Sequence, residues 1–311
     1  MTRCPILAGL VFVVGSCPVA RAEPVIGQFE LKTLDCEPGA YEFQSQNAWS
    51  WGQPDRQIDS DDSGGFIVDE NAVIGERYAL ELERGFTHFF KVRVGIEAER
   101  ERVDEPLTPE QANDFDDLKI ADVGVELVAV LVPRHGDGAG LGLVTEIEGP
   151  IDQHEPNNLT LGPIVEFRSG HWFAAAVPMA VHAFGGKSEA GNEVDDKWDF
   201  AYAAQLMYVF EPRWSLAVEG YGTVERIGTT GNPSDSAQHF GDFDQHRIGA
   251  VLYYTHDSGG VVHREPQAAA ADLSDSPEDE GRSFTVGLGL LEGLNGNTPD
   301  HTLKLSIEVH F

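Results

Sequence analysis

Along most of this chain apolar residues recur at every second position, not at every third or fourth. That period belongs to a β-strand with two unlike faces. The last segment shows it most plainly: Leu303, Leu305, Ile307, Val309 and Phe311 alternate with Lys304, Ser306, Glu308 and His310. Further upstream, Phe90, Val92, Val94, Ile96 and Ala98 alternate with Lys91, Arg93, Gly95, Glu97 and Glu99. Trp198, Phe200, Tyr202, Ala204, Leu206, Tyr208 and Phe210 alternate with Asp199, Ala201, Ala203, Gln205, Met207 and Val209. Segments of roughly ten residues with one apolar face and aromatic ends are the signature of a transmembrane barrel, apolar towards lipid and polar towards the lumen. The pattern predicts an all-β fold, a transmembrane antiparallel up-and-down barrel of about twelve strands: 40–51, 78–88, 89–103, 118–132, 140–151, 158–169, 172–185, 197–210, 213–227, 246–256, 282–293 and 302–311. The even number places both chain ends in the periplasm. A soluble β-sandwich is the main structural alternative, but each outward apolar face would then need a second sheet to cover it.

The connections fit an up-and-down order. Gly85 to His88, Arg134 to Ala139, Ser169 to His171 and Glu211 to Arg213 read as short periplasmic turns, whereas 52–77, 104–117, 186–196 and 228–245 read as longer, acidic outer loops. Residues 257–281 break the rule, being long, acidic and rich in Ala and Pro where a short turn is expected. They read as a flexible acidic insertion, the alternative being a register displaced by one strand. Residues 23–39 are too few for a second domain and read as a periplasmic lead-in or an inward plug.

The chain begins as an export signal begins. Arg3 is followed by an apolar run over 5–15 and by Ala20-Arg21-Ala22, an A-x-A cleavage site, so residues 1–22 read as a signal peptide. A lipoprotein cleavage site at Val14 to Cys17 is the alternative. No stretch has 18 apolar residues in a row, so no helical membrane span is expected. Cys4 and Cys17 fall in the leader, which leaves Cys36 without an intrachain disulfide partner. The formal charge is -31, from 21 basic and 52 acidic residues, and losing Arg3 and Arg21 with the leader takes it to -33. Such a chain repels nucleic acid and attracts cations.

Three stretches carry resemblances. The closing strand, ending on Phe311, resembles the C-terminal strand by which bacterial outer-membrane proteins are recognised for assembly. Phe311 would then be an assembly signal read by the barrel-assembly machinery, and the partners would include outer-membrane lipid and lipopolysaccharide. Tyr78 to His88 (YALELERGFTH) with the alternating strand after it, and Gly289 to Asp300 (GLLEGLNGNTPD) before Leu303 to Phe311, are similar to the outer-membrane barrels of the "MetA-pathway of phenol degradation" family and to outer-membrane transporters more broadly. The similarity runs loosely over 40–311, and only these two stretches are distinctive. It implies a channel of about twelve strands in the outer membrane of a Gram-negative cell, for small aromatic or other hydrophobic compounds, with no catalytic motif to carry over. The long 257–281 segment departs from the family pattern.

Alternation sorts the charged residues by face. Glu81, Glu83, Lys91, Arg93, Glu97, Glu99, Glu126, Glu146, Glu148, Glu166, Arg168, Glu219, Glu225, Arg247, Lys304 and Glu308 are expected in the lumen, where carboxylates outnumber bases about two to one. Carboxylate rings in a water-filled pore favour cations. Opposite charges could equally pair and fill a narrow lumen. In the first outer loop Asp59, Asp61, Ser63, Gly65 and Glu70 match the spacing of a calcium loop, with Ser63 a weak choice for its position. His182 and His310 are expected to face inward. Scattered His and only three Met speak against copper or zinc export. His256 and Ser258 have the His-x-Ser spacing of outer-membrane phospholipases, without the Asn-Gly that follows it there. The expectation is therefore a passive channel for small solutes and not an enzyme. The alternatives are a non-conducting barrel for anchoring or adhesion and a phospholipase-like enzyme.

Overall fold

A computed structural model describes residues 29–56, 58–60, 65–68, 73–103, 106–151, 156–185, 197–224, 227, 244–257 and 282–311. The strands are β1 (Tyr41–Trp51), β2 (Ile58–Ser60), β3 (Phe66–Val68), β4 (Ile74–Thr87), β5 (Phe90–Glu101), β6 (Lys119–Val132), β7 (Gly138–Pro150), β8 (Asn157–Ser169), β9 (Trp172–Phe184), β10 (Lys197–Glu211), β11 (Trp214–Val224), β12 (Gln245–Asp257), β13 (Ser283–Gly293) and β14 (His301–His310). Twelve of them form one closed barrel in which each strand pairs antiparallel with its sequence neighbour and β1 closes on β14. The expected up-and-down barrel is therefore the observed fold. The short pair β2–β3, which lies outside the barrel in the first long loop, was not foreseen.

Closure is what lets such a sheet stand in hydrocarbon. An open sheet leaves a row of unpaired N–H and C=O groups at each edge, and each would cost several kcal/mol away from water. Here Phe43 opposes Val309 and Trp49 opposes Leu303 along the β1–β14 seam. At its end Tyr41 and Phe311 exchange both backbone hydrogen bonds, at 3.0 and 2.9 Å, and their rings stack with centroids 5.9 Å apart. The terminal Phe311 thus finishes the seam.

The outward positions carry Leu80, Leu82, Val94, Val125, Leu206, Val218, Leu252 and Leu288, all exposed. Aromatic pairs bound this apolar belt. At the end that bears the short turns, Trp172 packs on Tyr208 and Trp214 on Tyr254, each at 4.8 Å. At the long-loop end, Trp49 donates a 2.7 Å hydrogen bond to the Tyr78 hydroxyl, and Trp198 stacks on His182 at 4.4 Å. Rings with one apolar side and one wet side suit the headgroup level. His182 therefore belongs to the outer girdle, and its expected inward placement is corrected. It directly opposes Trp198 across β9–β10, so the two must share a face. His256 also lies on the outer face, against Phe284 at 5.6 Å.

Residues 1–22, read as a signal peptide, lie outside the described residues, as do 258–281 and Ser258. Among the described residues no helix is long and apolar enough to cross a membrane. Leu288 is 54% exposed at the centre of β13. Leu288→Arg should weaken folding by about 2–4 kcal/mol, read as a shifted urea midpoint for folding into phospholipid vesicles. An unchanged midpoint would place this face away from hydrocarbon.

Candidate functional site

Every second residue of each barrel strand points inward, and the inward set is uneven around the barrel. Strands β4 to β8 present Glu81, Glu83, Lys91, Arg93, Glu97, Glu126, Glu146, Glu148, Glu166 and Arg168, all buried. β9 presents Phe173, Ala175, Val177, Met179, Val181 and Ala183, while β10 to β12 mix Ala201, Ala203, Met207, Ala217 and Val251 with Lys197, Asp199, Gln205, Glu219 and Arg247. The interior therefore has a charged wall and a second wall that is apolar along β9 and mixed beyond it.

The chain ahead of β1 runs between them. Phe29, Glu30, Leu31, Lys32, Leu34 and Cys36 are each at most 7% exposed. Residues 29–36 of this stretch sit inside the barrel. The segment repeats the alternation of the strands in miniature. Phe29, Leu31 and Leu34 join the buried apolar cluster, and the Phe29 ring meets Tyr221 edge-on at 5.5 Å beneath the Arg247 guanidinium at 5.1 Å. Glu30 and Lys32 turn to the charged wall. Lys32 Nζ lies 2.6 Å from Glu126 and 2.8 Å from Glu30. Arg93 donates to Glu30 and also reaches Glu83 at 2.9 Å.

Leu34 seats in a notch made by absent side chains. A Cβ on Gly140 would stand 2.8 Å from one Leu34 methyl, and a Cβ on Gly142 only 2.3 Å from the other. Both glycines face inward on β7, so the wall is hollow where the leucine enters. The Leu34 backbone N–H donates to Glu166 Oε1 at 2.7 Å, while Arg134 holds the other carboxylate oxygen at 3.3 Å. Two residues on, the Cys36 thiol donates to the Thr87 carbonyl at 2.9 Å. Burial pushes the Cys36 thiol up, so little of it is thiolate at neutral pH.

Across the barrel a second cluster centres on Glu219. Its carboxylate accepts from Gln205 at 2.6 Å, Tyr221 at 2.6 Å, Lys304 at 2.7 Å and Tyr253. With both oxygens doubly engaged, this group is a structural tie between β10, β11, β12 and β14. At the terminus-bearing rim, Glu42, Glu308 and His310 bring their ligand atoms within 4.8 Å of one another, with His310 Nδ1 3.3 Å from Glu42.

The expected lumen residues thus divide. Glu81, Lys91, Arg93, Glu97, Glu126, Glu146, Glu166 and Arg168 line the charged wall. Glu219 and Lys304 are tied together opposite, Arg247 covers Phe29, and Glu308 stands at the rim. Glu225 lies outside the described residues. So do Asp61, Ser63 and Glu70 of the calcium-loop spacing, while Asp59 sits in β2 and Gly65 just before β3, both exposed. Sequence reasoning missed Arg77, Asp122, Lys197 and Asp199, which also face inward. Arg77 was lost because the strand was started four residues late. Asp199 was visible in the alternation of β10 but was not singled out.

No protein-family model matches this chain, and no curated protein does. Solved structures do resemble it. The COG4313 outer membrane channel from Pseudomonas putida F1 is similar at 12% identity and a TM-score of 0.51, over 93% of this chain and 99% of that one. NanC porin is similar at 10% identity and a TM-score of 0.47, over 86% of this chain and 98% of that one. KdgM porin, in complex with disordered oligogalacturonate, is similar at 8% identity and a TM-score of 0.41, over 88% and 98%. The likeness is one of fold: this chain is built as outer-membrane barrels are built.

Leu34 is the segment's anchor. Leu34→Asp would remove about 2–5 kcal/mol of apolar seating and place a carboxylate beside Glu166. Maleimide labelling of Cys36 in the folded barrel should then quicken by about tenfold or more. Equal rates in the two proteins would mean that the segment is not held by this notch.

Proposed function

We propose that the protein is an outer-membrane channel for passive passage of small solutes, closed at rest by its own residues 29–36. The observation that carries this reading is the charged inner wall met by a segment that is no part of the barrel sheet. A lumen that at times holds water favours charge on its wall. Among the described residues the segment forms no strand of its own, and it runs directly into β1. It is held inside by ion pairs, one backbone hydrogen bond to Glu166 and a leucine in a notch. Ion pairs out of water are close to neutral in net free energy, because desolvation offsets most of the attraction. A plug made this way can leave and return.

Carboxylates exceed bases on the charged wall, so the opened lumen favours cations and neutral solutes over anions. The resemblance of Tyr78 to His88 and of Gly289 to Asp300 to phenol-degradation barrels adds small aromatic compounds to the candidate cargo. The apolar wall supports that addition. In this reading the short turns and both termini face the periplasm, and the protein carries out no chemistry of its own.

Single-channel recording in a planar bilayer with a salt gradient tests the proposal. The native chain should open rarely, and Leu34→Asp should conduct persistently with a cation-selective reversal potential. A Leu34→Asp barrel that labels readily at Cys36 yet stays silent would overturn it in favour of a filled, anchoring barrel.

A further inference from the structure

The plug does not meet the charged wall at random; it puts an ammonium group into a nest of carboxylates. Register places the inward residues of neighbouring strands in rows. One row runs Glu83, Arg93, Glu126, Glu146 across β4 to β7. The next runs Glu81, Gly95, Gly124, Glu148 across the same strands. The second row is floored by two glycines, and the side chains of the glutamates at its ends lean over that hollow. A Cβ on Gly95 would lie 3.3 Å from Glu81 Cγ, and one on Gly124 would lie 3.4 Å from Glu148 Cγ and 3.6 Å from a Glu146 carboxylate oxygen. Glu81, Glu126, Glu146 and Glu148 thus border one small space.

Lys32 fills one side of it. Its ammonium is 2.6 Å from Glu126 and 3.9 Å from Glu81. Glu148 is 2% exposed, and its Oε2 has no hydrogen-bond partner. A buried carboxylate oxygen without a donor costs free energy that a second cation would recover. Phe29 and Leu31, on either side of Glu30 in the plug, lie in the buried apolar cluster. The plug therefore offers the barrel a primary ammonium and, three residues away, an aromatic ring.

We propose that Lys32 is an internal stand-in for the solute, and that the hollow bordered by Glu81, Glu126, Glu146 and Glu148 binds small organic primary amines in their protonated form, with an apolar body laid on the opposite wall. Such a solute competes with Lys32 for Glu126, gives Glu148 a donor, and so favours release of the plug. The inference rests on the plug-and-channel reading and adds to it a solute class and a trigger. A bare metal ion fits less well: among the described residues the only His, Cys, Asp and Glu groups with ligand atoms close enough to share one ion are those at the rim.

The test uses the full chain in detergent micelles, with maleimide labelling of Cys36, resolved from Cys4 and Cys17 by peptide mass, as the report on plug release. Phenethylammonium is compared with phenethyl alcohol, its neutral counterpart of nearly the same shape. The amine should speed labelling by about tenfold with a saturable dose dependence, the alcohol should not, and Glu148→Gln should abolish the amine's effect. Equal effects of amine and alcohol, or no effect of either, would overturn the proposal. The native-chain comparison decides the matter even if Glu148→Gln fails to fold. An amine effect alongside a silent Leu34→Asp bilayer would uphold the site and remove the channel reading. A conducting Leu34→Asp without an amine effect would do the reverse.

Discussion

The backbone of a sheet placed in hydrocarbon has nowhere to find hydrogen bonds except itself. That constraint is met here by the closure of β1 on β14, and the rest of the structure follows from it. Closure leaves two surfaces. The outer one meets lipid and takes the apolar residues. The inner one is the only place for charge at that depth, which is why so many Glu, Lys and Arg side chains lie buried in a chain with no soluble core. A closed barrel also creates an enclosed space that its own strands do not fill, and the chain's preceding segment is what occupies it.

The division of that space decides what can occupy it. Leu31 and Phe29 match the apolar wall and Glu30 and Lys32 the charged wall, so an extended segment with period two fits as an added inner strand would. The fit is chemical on both sides. The ion pairs largely return what desolvation costs, so Phe29, Leu31 and Leu34 supply most of the net hold. The Glu219 cluster shows the contrast. There every carboxylate lone pair has a donor and the partners come from four strands, so the group braces the wall and has no reason to move.

The barrel was legible because period two is a local property of the chain. Each strand's outward face can be read from its own residues, and the strand boundaries fell within a few positions of the observed ones. Inward charges such as Arg93, Glu126 and Glu146 followed from the same alternation. What alternation could not show is which of them meet. Lys32 and Glu126 lie far apart in sequence and are brought together only by the plug, whose residues carry too short a pattern to be placed. A faint signal did exist: Gly140 and Gly142 leave two successive inward positions of β7 without side chains, which marks a place where something else packs. His182 was misplaced because the apolar residues of β9, among them Val177, Met179 and Val181, face inward, which turns the alternate position of His182 to the outer face beside Trp198.

If residues 29–36 open and close the barrel, holding them in place must stop the current. The Cys36 thiol already touches the Thr87 carbonyl, so Thr87→Cys in a Leu34→Asp background offers a disulfide that can lock the segment in place. The measurement is single-channel conductance of that protein before and after reduction. The account predicts silence while the disulfide holds and sustained, cation-selective current once it is reduced. Equal conductance in the two states would contradict it.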